Sequence, residues 1–236
     1  MGGEQKVAVI TGASGGIGSA LVNAYRNRNY RVVATARSME PLGGDDVAVV
    51  SGDIADRKTA ERAISEGMMR FGRIDTLVNN AGIFITKPFT QYTEAEYAAI
   101  LSVNVTGFFH ITQLAIAEME KRGSGHILQI TASLVDHAIA DVPAVLAVMT
   151  KGALNAATKS LAIEYAKRGI RVNAVAPGTI KTPMYPVEAY AQLAALHPVG
   201  RMGEISDIVD AILYLEEARF VTGEILHVDG GQNAGH

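Results

Sequence analysis

There is no cysteine among the 236 residues. That excludes disulfides, thiolate metal sites and a cysteine nucleophile, and it fits a reducing compartment. A long apolar run is missing from the N-terminus too. The N-terminus reads MGGEQKVAVITG, where the apolar run ends at a threonine and a glycine. It is too short for a signal peptide or a membrane span, so the expected location is cytoplasmic and no membrane partner is expected. Gly2 and Gly3 are compatible with a cloning remnant. No basic run could serve as a tail or a membrane-surface patch, and a net charge of -3 with a pI near 6.1 argues against a nucleic-acid partner. The six histidines are scattered without ligand spacing, so no metal site is expected. One further absence matters below: no tyrosine occurs between Tyr97 and Tyr165.

What is present is a single large α/β domain spanning residues 1–236. Apolar residues make up 48% of the chain, enough for a substantial core. Seven β-branched runs read as strands, at 7–11, 31–36, 47–52, 74–79, 126–131, 171–176 and 224–229. They are continuously apolar rather than alternating, as in a sheet covered on both faces. Helical patterns lie between them, near 17–28, 56–71, 93–121, 143–168 and 205–217. The order implies a doubly wound parallel sheet of about seven strands, of Rossmann type, with right-handed crossovers. Residues 177–203 are the least regular stretch and hold four of the seven prolines. They follow a predicted strand, where open α/β sheets bind ligands, so they form a candidate substrate lid or else an ordinary surface excursion.

The first strand leads into TGASGGIG, Thr11 to Gly18. Gly12, Gly16 and Gly18 would let the turn close tightly and approach a pyrophosphate, and Ser14 and Ile17 lie on the same turn. The helix behind it would contribute amide donors. After the second strand stand Ala36 and Arg37. An uncharged residue followed by a guanidinium suits a 2′-phosphate, whereas an acid there would bind the free ribose of NAD. NADP is therefore favoured over NAD, unless Arg37 is simply a solvated loop charge.

Together these segments resemble the short-chain dehydrogenase/reductase family. Thr11-Gly-x-x-x-Gly-x-Gly is similar to its cofactor fingerprint, and Asn79-Asn80-Ala81-Gly82 to its structural motif after the fourth strand. Asn104, Ser133 and Lys151 match three of the four members of its catalytic tetrad. Pro177-Gly178 with Thr182 resembles the segment that closes over the nicotinamide, and Val221 to Gly231 its C-terminal strand. The likeness runs from residue 6 to about 231. It implies carbonyl reduction or alcohol oxidation of a small molecule by hydride transfer, in a homotetramer or homodimer. It also implies a cofactor site at Gly12, Ser14, Gly16, Ile17, Gly18, Arg37, Asp53, Ile54, Asn80, Ala81, Gly82, Lys151, Pro177, Gly178, Ile180 and Thr182. Asp53 would meet the adenine edge, or alternatively cap the helix that starts near residue 56. Two long helices, near 93–121 and 143–168, would carry the subunit interface through residues such as Phe108, Phe109, Leu154 and Leu161, unless these belong to the core.

The fourth tetrad position, four residues before Lys151, is Ala147. In the family a tyrosine there gives its proton to the developing alkoxide, with the lysine lowering its pKa from near 10. Three readings stay open. His137, after Ser133, could be a substitute acid because its ordinary pKa suits proton transfer at neutral pH; Asp136 and Asp141 lie in the same segment, and a water held by Ser133 and Lys151 could also serve. Ala147 could be an engineered replacement. Or the chain could bind a dinucleotide without turnover, as a sensor or partner subunit.

Overall fold

The computed structural model describes residues 5–235, so Gly2 and Gly3 lie outside it. Seven strands form one sheet: β1 Val7–Thr11, β2 Arg31–Ala36, β3 Val47–Ser51, β4 Thr76–Asn79, β5 Gly125–Ile130, β6 Ile170–Pro177 and β7 Ile225–Val228. All neighbours are parallel, in the order β3-β2-β1-β4-β5-β6-β7. This is a Rossmann-like fold. The chain winds outward from β1 in one direction, then returns to β4 and winds the other way. The strand order therefore reverses between β1 and β4, and a crevice opens there beyond their carboxyl ends.

The continuous apolar runs are explained by which face each residue takes. Val7 and Val9 of β1 join Val33, Leu77, Ile127 and Val172 on one face, while Ala8 and Ile10 join Val32, Val78, Leu128 and Val175 on the other. The first face is covered by α2 Arg57–Phe71, α4 Phe108–Arg122 and α5 Val145–Tyr165. The second is covered by α1 Gly16–Asn27 and α7 Ile205–Glu217. Each fully buried side chain of the size of Leu21, Ile111 or Ile212 contributes roughly 1.5–3 kcal/mol through removal from water.

The helix expected over 93–121 is interrupted. Thr93 caps α3 Glu94–Leu101 in a reciprocal capping box with Glu96. A wide π turn, Ser102–Gly107, then leads into α4, which ends at Gly123 in the left-handed conformation, φ 66°. The turn buries Asn104, whose side chain hydrogen-bonds the Ile83 backbone. By length and composition Glu94–Arg122 could cross a membrane. Its apolar residues Ile111, Ala115, Ile116 and Met119 are instead packed on the sheet, as in a core helix.

Between β6 and α7 the irregular stretch holds a short turn, Val187–Ala189, and a one-turn helix, α6 Tyr190–Ala194. Its two ends are tied by a bridge between Ile180 and Gly203.

Candidate active site

The turn after β1 is packed so closely that glycine is required. Gly12 has φ +66°, and a Cβ there would lie 2.9 Å from the Ala81 Cα; one at Gly18 would overlap the Gly12 carbonyl. Asn80 Nδ2 donates to the Thr11 and Gly12 carbonyls at 2.9 and 3.1 Å, and the Asn80 and Ala81 amides both donate to Thr11 Oγ1 at 3.0 Å. The segment after β4 thus clamps the turn after β1. α1 starts at Gly16 with no side chain capping its first amides. Those amides and the helix dipole suit an anion.

From this cradle runs a cleft of about 1290 Å³. Most of the expected binding residues line it: Gly12, Ser14, Gly16, Ile17, Arg37, Asn80, Ala81, Gly82, Lys151, Pro177, Gly178, Ile180 and Thr182. Ser133 does too. Gly18, buried beneath the turn, acts through packing. Asp53 and Ile54 do not line the cleft. Ile54 is a core residue seated on Gly107, and the exposed Asp53 carboxylate accepts from the Ala55 amide at 2.9 Å. The alternative that Asp53 caps α2 is corrected: Asp56 does so, accepting from the Lys58 amide at 3.0 Å, because it directly precedes the first helical residue.

Three tetrad positions converge. Ser133, in a tight turn three residues beyond β5, is fully buried. Lys151, on the second turn of α5, reaches back so that Nζ donates to the Ile130 carbonyl at 2.6 Å. Burial pushes its pKa down to about 8. A Cβ on Gly82 would meet Lys151 Nζ at 3.1 Å and Asn104 Oδ1 at 3.3 Å, so the two side chains meet around that glycine. Asn104 is fully engaged. Its Oδ1 accepts from the Ile83 amide at 2.8 Å, and its Nδ2 donates to the Ile83 carbonyl and Thr150 Oγ1, each at 3.0 Å. Its side chain holds the Ile83 backbone.

Ala147 is 1% exposed and does not line the cleft. Its methyl belongs to an apolar cluster with Ile100, Ala144 and Leu146, flanked by Ile83, Phe84 and Leu134. His137 is partly exposed, outside the cleft lining, and Asp136 pairs with His227 Nε2 at 3.0 Å. Of that segment Leu134, Ile139, Asp141, Val142 and Pro143 line the cleft.

The 177–203 stretch does border the cleft, through Met184, Tyr185, Leu193 and Leu196; Tyr190 does not. Buried His197 anchors its far end. Nε2 accepts from the Thr179 amide at 2.9 Å, so the proton lies on Nδ1 and is donated to the Leu193 carbonyl at 3.0 Å. Two residues that sequence reasoning passed over complete the site. Thr150, beside Lys151, joins Asn104 to the Leu146 and Ala147 carbonyls. Gln232, on the turn after β7, accepts the Ser133 hydroxyl at 2.6 Å.

Residues 12–233 match the family described as enoyl-(acyl carrier protein) reductase. The chain is 35% identical to the L-fucose dehydrogenase of Mus musculus over 98% of its own length and 89% of that protein. Among solved structures, ElxO with NADP bound superposes with a TM-score of 0.91 at 28% identity, over 98% of this chain and 100% of that one. A 3-ketoacyl-(acyl-carrier-protein) reductase from Brucella melitensis, complexed with NADH, gives 0.90 at 30%, over 98% and 99%. With the glycine cradle, the crossover crevice and Ser133 and Lys151 both lining it, these matches establish that the chain belongs to the short-chain dehydrogenase/reductase family.

Proposed function

We propose that this protein is an NADP(H)-dependent oxidoreductase that interconverts a carbonyl and an alcohol by hydride transfer, without a phenol acid. The observation that carries the proposal is that Ser133 and Lys151 line the same cleft as Gly12, Ser14 and Gly16 of the glycine-rich turn. Cofactor-bound relatives of nearly equal length support a dinucleotide in that cleft. The cradle fits one, since the close approach that glycine permits at Gly12 and the uncapped amides of α1 are what a pyrophosphate requires. Arg37 lines the cleft while Ala36, ending β2, brings no carboxylate, which supports NADP over NAD.

The bound cofactor supplies the hydride. The Ser133 hydroxyl donates to the substrate carbonyl and stabilises charge growing on its oxygen. Lys151, fixed by the Ile130 carbonyl, holds the proton that this oxygen receives, directly or through a water. A pKa of about 8 makes its ammonium a usable acid near neutrality, where an ordinary lysine would release its proton too reluctantly. His137 loses ground as the substitute acid because it does not line the cleft.

A second reading, a dinucleotide-binding protein without turnover, has one observation in its favour: the cluster around Ala147 is apolar except for Tyr92, whose hydroxyl donates to the Ile85 carbonyl at 2.8 Å. Association into dimers or tetramers remains part of the proposal. Phe109, half-exposed on α4, lines a recess of about 380 Å³ with Val105, Phe108 and Ala157, and Met149 is half-exposed on α5. Leu154 lines the same recess, and Leu161 packs against the core. A cytoplasmic location belongs to the same proposal and rests on the cysteine-free composition.

Fluorescence titration with NADPH and NADH, followed by turnover on a panel of aldehydes and ketones, tests this. Tighter binding of NADPH with Ser133-dependent turnover is expected. Binding without turnover on any carbonyl favours the second reading, and no binding of either cofactor overturns both.

A further inference from the structure

Ser133 does not face an empty cleft. Its hydroxyl donates to Gln232 Oε1 at 2.6 Å, and both residues are buried, Gln232 being 2% exposed. The amide has a fixed orientation. Gln232 Nε2 donates to the Leu196 carbonyl at 3.3 Å, at the end of the stretch that borders the cleft. Reversing the amide would set its oxygen against that carbonyl, two acceptors with no proton between them. The backbone is equally fixed. The Asp229 carboxylate accepts from the Gly231 and Asn233 amides at 3.0 and 2.8 Å, and the Asp229 carbonyl from the Gln232 amide at 3.3 Å.

A serine hydroxyl has one proton to give. When Ser133 turns it to a substrate carbonyl, Gln232 Oε1 becomes an acceptor without a donor in a buried place, which is costly. A plain ketone leaves that cost standing. Around Ser133 Oγ, two acceptors at ordinary hydrogen-bond lengths stand roughly 4 Å apart, and a hydroxyl oxygen lying between them can reach both. A hydroxyl on the carbon next to the carbonyl falls in that gap.

We infer that Gln232 is a specificity residue and that the substrate is an α-hydroxy ketone or α-hydroxy aldehyde, whose own hydroxyl donates to Gln232 Oε1 while Ser133 donates to the carbonyl. The inference rests on the oxidoreductase reading above. The carbonyl carbon gains the hydride of the reduced nicotinamide, the oxygen gains a proton, and the product is a vicinal diol. In reverse, a vicinal diol loses a hydride and a proton.

The test compares hydroxyacetone with butanone, its isostere without the hydroxyl, and with methoxyacetone, which keeps the electron-withdrawing oxygen but offers no donor. For the natural chain, kcat/KM with NADPH is expected to favour hydroxyacetone over both by roughly tenfold to a hundredfold. Gln232→Met, of similar length and without the acceptor, is expected to bring the ratio to methoxyacetone near unity; Gln232→Leu serves if that variant unfolds. Unchanged NADPH affinity and thermal midpoint establish that the variant is intact. Equal kcat/KM for hydroxyacetone and methoxyacetone in the natural chain overturns the inference, as does a preference that survives in either variant. If no carbonyl is turned over, calorimetry on the NADPH-loaded protein separates the two failures. Tighter binding of hydroxyacetone, lost in Gln232→Met, sinks the reductase reading and keeps the role of Gln232. Equal binding of the three compounds sinks both.

Discussion

At the scale of single residues, the proposed chemistry turns on Lys151, with Ala147 one helical turn before it. On the proposed mechanism, burial of Lys151, which lowers its pKa to about 8, makes the protonated form the acid for carbonyl reduction and the neutral amine the base for alcohol oxidation. Reduction, measured as kcat/KM, should fall as pH rises through about 8, and oxidation should rise through the same value. A flat profile across that range would remove Lys151 from the proton path. Ser133→Ala should cost on the order of a hundredfold to a thousandfold in kcat, the usual loss for one donor to a developing oxyanion. Ala147→Tyr places a ring beside Ile100, Leu146 and Leu134. Overpacking of that kind costs roughly 1–3 kcal/mol, so a lower thermal midpoint is expected. Ser133 and Lys151 could be picked out in the sequence through the family resemblance, whose spacing spans only the short stretch from β5 to α5. Gln232 could not, since it meets Ser133 from 99 residues away and glutamine has no signature there.

At the scale of elements, the turn after β1 decides whether a dinucleotide fits. Gly18→Ala drives a methyl into the Gly12 carbonyl and towards Asn80 Nδ2. The turn must open to accommodate it, which moves the first amides of α1. A loss of at least roughly tenfold in NADPH affinity should follow, read by fluorescence titration, because misplacing even one hydrogen bond to a charged group is worth more than a kcal/mol. All seven strands were legible, since a sheet covered on both faces makes each one a short apolar run with turn residues at its ends. The π turn Ser102–Gly107 was not. It exists because Asn104 hydrogen-bonds Ile83 and Gly107 seats Ile54, both tertiary contacts that helical periodicity does not encode. The one-turn helix α6 escaped notice for a similar reason: it is tied down by His197 and Ile180 rather than by its own pattern.

At the scale of the molecule, the two ends of the sheet do different work. The cleft lies beyond the carboxyl ends of the strands, while a buried polar cluster lies toward their amino ends. Glu216 on α7 accepts from the Tyr30 hydroxyl at 3.0 Å, Thr76 Oγ1 at 3.1 Å and His126 Nδ1 at 3.0 Å, and Tyr25 is within 3.4 Å. Burial alone would raise its pKa, but the hydrogen bond and charge interaction with His126, the Tyr30 hydroxyl and nearby Lys6 hold it down to about 2. A carboxyl that titrates near 4.5 in the unfolded chain and near 2 when folded adds roughly 3 kcal/mol above pH 4.5. That contribution is lost as pH falls toward 2. Burial lowers the pKa of His126, so it too favours the fold less as the pH drops. Glu216→Ala should cost roughly 3–5 kcal/mol, measured as a shift in urea midpoint at neutral pH, with much of the difference gone in acid. Nothing in the sequence joins positions 30, 76, 126 and 216; only the folded sheet does. The central claim concerns the other end of the sheet, and steady-state oxidation of NADPH with a carbonyl substrate, in the natural chain beside Ser133→Ala and Ala147→Tyr, tests it most directly. Turnover by the natural chain that Ser133→Ala abolishes is the predicted result, and turnover by Ala147→Tyr alone would contradict it.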